Sequence, residues 1–139
     1  MKPTLVLDCS VAVAWCFSDE STPETSRILD RMAAEAALVP GQWFLEVANV
    51  LAMAERRKRI SPEDSTQFVQ LLSLLDIQVD EEVSGRAFDH LLPLCRSQGL
   101  TSYDAAYLDL ALRCELPLAS LDDALRQAAT NLGVKVLGR

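Results

Sequence analysis

Residues 1–10 read MKPTLVLDCS, and Thr4-Leu5-Val6-Leu7 decides the fold class. Its β-branched and leucine side chains suit a pleated, buried strand. The strand stops on a carboxylate, Asp8. Downstream, short apolar stretches of the same kind recur between helical ones: Ala37-Leu38-Val39-Pro40, Ile77-Gln78-Val79, Pro117-Leu118-Ala119-Ser120 and Val134-Lys135-Val136-Leu137. The spacing predicts helices over 9–17, 22–35, 42–59, 61–75, 81–97, 102–114 and 122–131. Thr22-Pro23-Glu24 and Ser61-Pro62-Glu63 each place a capping hydroxyl before a proline at the first helical position. Strands alternating with helices need crossover connections. The expected architecture is therefore α/β, with a short, mainly parallel central sheet between helical layers. Residues 1–139 show no linker, repeat or low-complexity tract and read as one domain.

Half of the 139 residues are hydrophobic, 24% are charged and the formal net charge is −7. That balance suits a folded globular chain and argues against binding polyanions by bulk charge. Carboxylates loaded with metal ions would reverse such a field locally. Cys9, Cys16, Cys95 and Cys114 form no C-x-x-C pair, and the single histidine, His90, completes no zinc set. The cysteines read as small buried hydrophobes of a reducing compartment. Asp8 interrupts the first apolar stretch, so it is not a signal peptide, and no stretch reaches a membrane span of about 18 apolar residues. A cytoplasmic location is expected.

In such open sheets the functional crevice lies beyond the carboxyl ends of the strands, where Asp8 sits. Asp122 follows the strand at 117–120 in the same way. Glu46 interrupts Trp43-Phe44-Leu45-Glu46-Val47-Ala48-Asn49, a segment apolar enough to be buried nearly all round. Gln42, Glu46 and Asn49 share one stripe of that helix. Asp104 falls in the first turn of a helix capped by Thr101 or Ser102. Each acid has an ordinary reading alone, as an N-cap or a helix-dipole partner. The topology, however, directs all four to one crevice. Two carboxylates ~4 Å apart repel by about 4 kcal/mol at an effective dielectric of 20, so a cation or protons must sit among them. An oxygen-only donor set suits Mg²⁺ or Mn²⁺.

Four segments, LVLDCSVAVAW (5–15), WFLEVANVL (43–51), LTSYDAAYLDLA (100–111) and PLASLDDALRQAA (117–129), resemble in order and spacing the PIN-domain ribonucleases, and among them the VapC-type toxins of toxin–antitoxin pairs. The resemblance implies a PIN-like three-layer α/β/α domain with metal ligands and catalytic acids at Asp8, Glu46, Asp104 and Asp122. Asp123 is the neighbouring alternative to Asp122. Ser10, Asn49 and Ser102 fall where supporting residues are expected. The implied reaction is Mg²⁺- or Mn²⁺-dependent endonucleolytic hydrolysis of RNA, leaving a 5′-phosphate and a 3′-hydroxyl. The implied partners are an RNA substrate, an inhibitory antitoxin and a second copy in a homodimer. Val11, Val13, Ala14, Trp15 and Phe17, with Leu71, Leu72, Leu74 and Leu75, are candidate partner contacts, although most of them must be core.

Two other readings compete. A haloacid-dehalogenase-type phosphatase also ends its first strand on an Asp, but wants an acid two residues on, where this chain has Ser10. A catalytically inactive PIN fold acting only as a protein-binding module would not need four acids. The run Arg56-Arg57-Lys58-Arg59 reads first as cations favoured by a helix C-terminus and second as a contact to flanking phosphates.

Overall fold

The computed structural model describes residues 1–139. Five strands, β1 (Pro3–Leu7), β2 (Ala36–Pro40), β3 (Ile77–Asp80), β4 (Leu118–Ala119) and β5 (Val136–Leu137), form one sheet. Their order is β3-β2-β1-β4-β5, and every pairing is parallel. Seven α-helices connect them: α1 (Cys9–Ala14), α2 (Pro23–Arg31), α3 (Trp43–Arg56), α4 (Pro62–Ser73), α5 (Leu92–Gln98), α6 (Ser102–Cys114) and α7 (Asp123–Asn131). The α/β class expected from the alternation is the class observed.

The strand order explains the layers. The chain steps from β1 to β2 to β3 in one direction, then jumps back across β1 to β4 and on to β5. Right-handed crossovers place helices of opposite stepping directions on opposite faces. Accordingly α1 packs on α3, while α6 packs on β1, β2 and β4 beside α5 and α7. The reversal of direction makes β1 and β4 neighbours, with Leu7 paired to Ala119. A crevice opens beyond their carboxyl ends.

Leu5, Val6 and Leu7 are fully buried, as are Trp43, Tyr107, Leu108 and Leu118. Both cap-then-proline starts form: Thr22 and Ser61 accept from the backbone N–H of Thr25 and Asp64. Three expectations need correction. The helix expected over 81–97 is broken. A short 3₁₀ turn (Ser84–Arg86) and a wide π turn (Ala87–Leu91) precede α5. Pro93 has no N–H to donate into the preceding turn, and the wide turn precedes it. Second, α3 is not buried all round: Leu45 is 75% exposed and Phe44 49%. Third, only Cys9 is buried among the cysteines; Cys16 and Cys95 are half-buried and Cys114 is exposed. Among the candidate partner contacts, Val11, Val13, Ala14 and Phe17 are core residues, in line with the expectation that most of that set is core. Of the leucines on α4 and just beyond it, Leu74 is exposed and Leu71, Leu72 and Leu75 are half-buried.

Candidate active site

Asp8 follows β1 directly. It occupies the N-cap position of α1 with extended backbone, yet its side chain makes no capping bond. The carboxylate turns instead to two serines. Ser10 Oγ donates to Asp8 Oδ2 at 2.6 Å, and Ser120 Oγ donates to the same oxygen at 2.8 Å. Each hydroxyl also accepts a backbone N–H from the loop after β4: Leu121 N–H reaches Ser10 Oγ at 2.9 Å and Asp122 N–H reaches Ser120 Oγ at 3.1 Å. The loop thus fixes both serines, and the serines fix Asp8. Because both donate to Oδ2, Oδ1 is left clear of side-chain donors. Asp8 is 5% exposed. Burial pushes its carboxyl above the usual range, the serine hydrogen bonds oppose this, and the charge of Asp122 adds to it.

Glu46 lies in the first turn of α3. Tyr107 of α6, fully buried, donates its hydroxyl to Glu46 Oε1. Burial raises the Glu46 carboxyl, the tyrosine bond lowers it, and Asp8 and Asp104 raise it further. Asp104 lies in the first turn of α6, whose cap is Thr101: Oγ1 accepts from Asp104 N–H at 3.2 Å. Ser102 is exposed and makes no side-chain hydrogen bond. The Asp104 carboxyl is pushed up to about 6 by burial, then by Asp122 and Asp8.

Asp122 caps α7, with Oδ1 accepting from Leu125 N–H at 2.8 Å. Its charge is felt at both Asp8 and Asp104. Asp123 points elsewhere, to Arg139. Asn49 is exposed and takes no part in these hydrogen bonds, although Gln42 and Glu46 of the same stripe both bond to α6. Charge therefore links Asp8 with Glu46, Asp104 and Asp122, and Asp104 with Glu46 and Asp122. Ser10 joins this network through Asp8, and Asn49, Ser102 and Asp123 lie outside it. Ser120 and Tyr107 were not singled out for this place by sequence reasoning. Ser120 carried a signal, being the last residue before the loop of Asp122. Tyr107 carried none beyond its one-turn spacing from Tyr103.

No three of the acids stand as a ready-made cation cage. Their chemistry nonetheless fits a hard divalent ion: every donor is oxygen, and Asp8 Oδ1 and Glu46 Oε2 have no side-chain partner. A groove of about 910 Å³ between α3 and α4, lined by Phe44, Val47, Leu51 and Val69, does not include these acids. Of the basic run, Arg59 is already engaged, pairing with Asp19 and Glu20 at 2.8 Å and lying 3.9 Å over the Phe17 ring. His90 is exposed. No helix is long and apolar enough to cross a membrane.

A parallel, doubly wound sheet with acids at its switch point defines an α/β domain of the kind whose ligands bind beyond the strand ends. The family model of the PIN domain matches residues 5–131. The chain belongs to the PIN domain family. Solved structures share the fold. PAE2754 from Pyrobaculum aerophilum superposes with a TM-score of 0.70 at 20% identity, covering 96% of this chain and 83% of that one. FitAcB from Neisseria gonorrhoeae gives 0.65 at 17% identity, covering 96% of both chains. A toxin–antitoxin complex from Klebsiella pneumoniae gives 0.54 at 15% identity, covering 86% of both. No curated protein matches the sequence.

Proposed function

We propose that this chain is a single-domain, metal-dependent endoribonuclease of the VapC toxin type, acting in the cytoplasm and inhibited by a cognate antitoxin. The observation that carries the reading is the crowding of partly buried carboxylates at the β1–β4 switch point, where Asp122 presses on Asp8 and Asp104, and Asp8 and Asp104 press on Glu46. Burial and neighbouring negative charge raise the proton affinity of Asp8, Glu46 and Asp104, and a site of this kind is one that a divalent cation would stabilise. Mg²⁺ or Mn²⁺ would be held by Asp8 and Glu46 on rigid elements, with Asp104 and Asp122 closing from α6 and the β4–α7 loop. When bound, the metal supplies charge neutralisation at the phosphodiester and acidifies water.

The chain's own residues do the positioning. Ser10 and Ser120 hold Asp8 in one rotamer. Thr101 sets the first turn of α6, and with it Asp104. Tyr103, 62% exposed beside Asp104, offers a ring on which a base of single-stranded RNA stacks. An antitoxin partner is supported by the fold shared with the Klebsiella toxin–antitoxin complex and by the exposed Phe44, Leu45 and Val69 along α3 and α4. The same apolar surface is compatible with a homodimer.

The test is cleavage of RNA by the purified protein with Mg²⁺ or Mn²⁺, its arrest by EDTA, and its loss in Asp8→Asn. Cleavage of a phosphomonoester instead of RNA would favour the phosphatase reading. Antitoxin binding without any hydrolysis would favour an inactive binding module.

A further inference from the structure

The N-terminal turns of α3 and α6 are joined by two hydrogen-bonded rungs. Gln42 Nε2 donates to the backbone carbonyl of Tyr103 at 2.8 Å, and Tyr107 Oη donates to Glu46 Oε1. Gln42 and Glu46 are four residues apart on one helix, and Tyr103 and Tyr107 four apart on the other, so the rungs are one turn apart. The two differ in setting. Gln42 is half-buried at the rim, whereas Tyr107 is fully buried and its hydroxyl has a single partner. A buried tyrosine hydroxyl needs an acceptor, and the one it takes is a single oxygen of a site carboxylate. That contact leaves Glu46 Oε2 without a partner and removes much of the rotational freedom of the glutamate.

We propose that Tyr107 is a positioning residue of the acidic site: its hydroxyl holds Glu46 by Oε1, so that Oε2 is the oxygen offered to a divalent cation. The inference rests on the metal-dependent reading given above. Partners that orient metal-binding carboxylates affect metal affinity by about 10–100-fold when removed. The phenyl ring is a separate matter, because it packs in the core whether or not the hydroxyl is present.

The experiment is Mn²⁺ titration by calorimetry on wild type, Tyr107→Phe, Glu46→Ala and the double variant, with melting temperatures in EDTA as the folding control. Tyr107→Phe is expected to weaken Mn²⁺ binding about 10–100-fold. In the Glu46→Ala background the same change is expected to have no further effect, since the hydroxyl then has nothing to position. Unchanged affinity in Tyr107→Phe overturns the proposal. So does an equal loss in the two backgrounds, which would mark a purely structural role. If Tyr107→Phe does not fold, Glu46→Asp withdraws the carboxylate from the hydroxyl with the ring intact, and wild-type affinity there overturns the proposal as well. Wild type that binds no Mn²⁺ sinks the metal-site reading itself, a result distinct from wild type that binds and a phenylalanine variant that binds equally.

Discussion

Ser120 Oγ donates to Asp8 Oδ2 at 2.8 Å across 112 residues of sequence. The contact exists because β1 and β4 are adjacent and in register, Leu7 beside Ala119, so the residues that follow the two strands meet at the switch point. A fully buried hydroxyl thus connects the first strand's carboxylate to the loop that presents Asp122.

Ser120→Ala removes one of the two side-chain donors to a buried carboxylate and leaves the Asp122 N–H without its acceptor. The expected cost is about 1–3 kcal/mol of stability, read as a lower urea midpoint at neutral pH without metal. A midpoint equal to wild type would show that Ser10 alone suffices.

The acids should make the metal-free protein less stable as pH rises. Asp104 is raised from 3.8 to about 6, so between those values the folded chain binds more protons than the unfolded chain. Stability then falls with increasing pH across that window. Asp8 and Glu46 are raised too and act in the same direction. Asp109, held low by Arg86 and Arg113 against its burial, acts oppositely, and its contribution is lost only as pH falls below the usual carboxylate range. Asp104→Asn should therefore flatten the decline between pH 4 and 6, measured as melting temperature in EDTA. An undiminished decline would separate Asp104 from the cluster.

Much of this was legible in the sequence because the signals were local. Residues 102–114 form a helix as read, since Thr101 caps it and no proline interrupts it. The acid positions followed from strands ending on Asp8 and just before Asp122, and from polar breaks in apolar helices. What sequence could not supply was partnership at long range. Ser120 and Tyr107 carry their roles only through contacts spanning 112 and 61 residues. The exposure of Leu45 is not legible, because composition alone does not tell a helix buried on all sides from one with an apolar face left open. The irregular turns within residues 84–91 are not legible either, because a lone proline in a helical stretch signals a break without fixing its form.

Away from the site, Arg113 fastens α6 to the end of β3. Its guanidinium bonds Asp80 at 2.9 Å, Asp109 at 3.0 Å and Glu82 at 2.8 Å. Asp109 is buried and shared with Arg86 at 2.7 Å. Removing one member of such a pair leaves charge in a poorly solvated place. Arg113→Ala is expected to cost about 3 kcal/mol in chemical denaturation, with Mn²⁺ affinity retained because no ligand moves. A cost below about 0.5 kcal/mol would place the network with ordinary surface pairs.

Cys9 and Cys114 should separate cleanly by thiol reactivity. Cys9 is buried directly after Asp8, and burial, then Asp8 and Glu46, push its thiol up to about 12. At pH 8 only about one molecule in ten thousand would carry the thiolate that attacks a disulfide reagent. Cys114 is exposed at the end of α6. With an aromatic disulfide at pH 8, the fastest phase should disappear in Cys114→Ser, while Cys9 should react only through unfolding, at a rate that climbs with urea. A cation bound among the acids would stabilise the folded state and slow that last phase in proportion to its concentration over its Kd. Cys9 labelling that is fast in native buffer and indifferent to urea would mean that the end of β1 opens locally, and that Asp8 is not held as rigidly as its two serines imply.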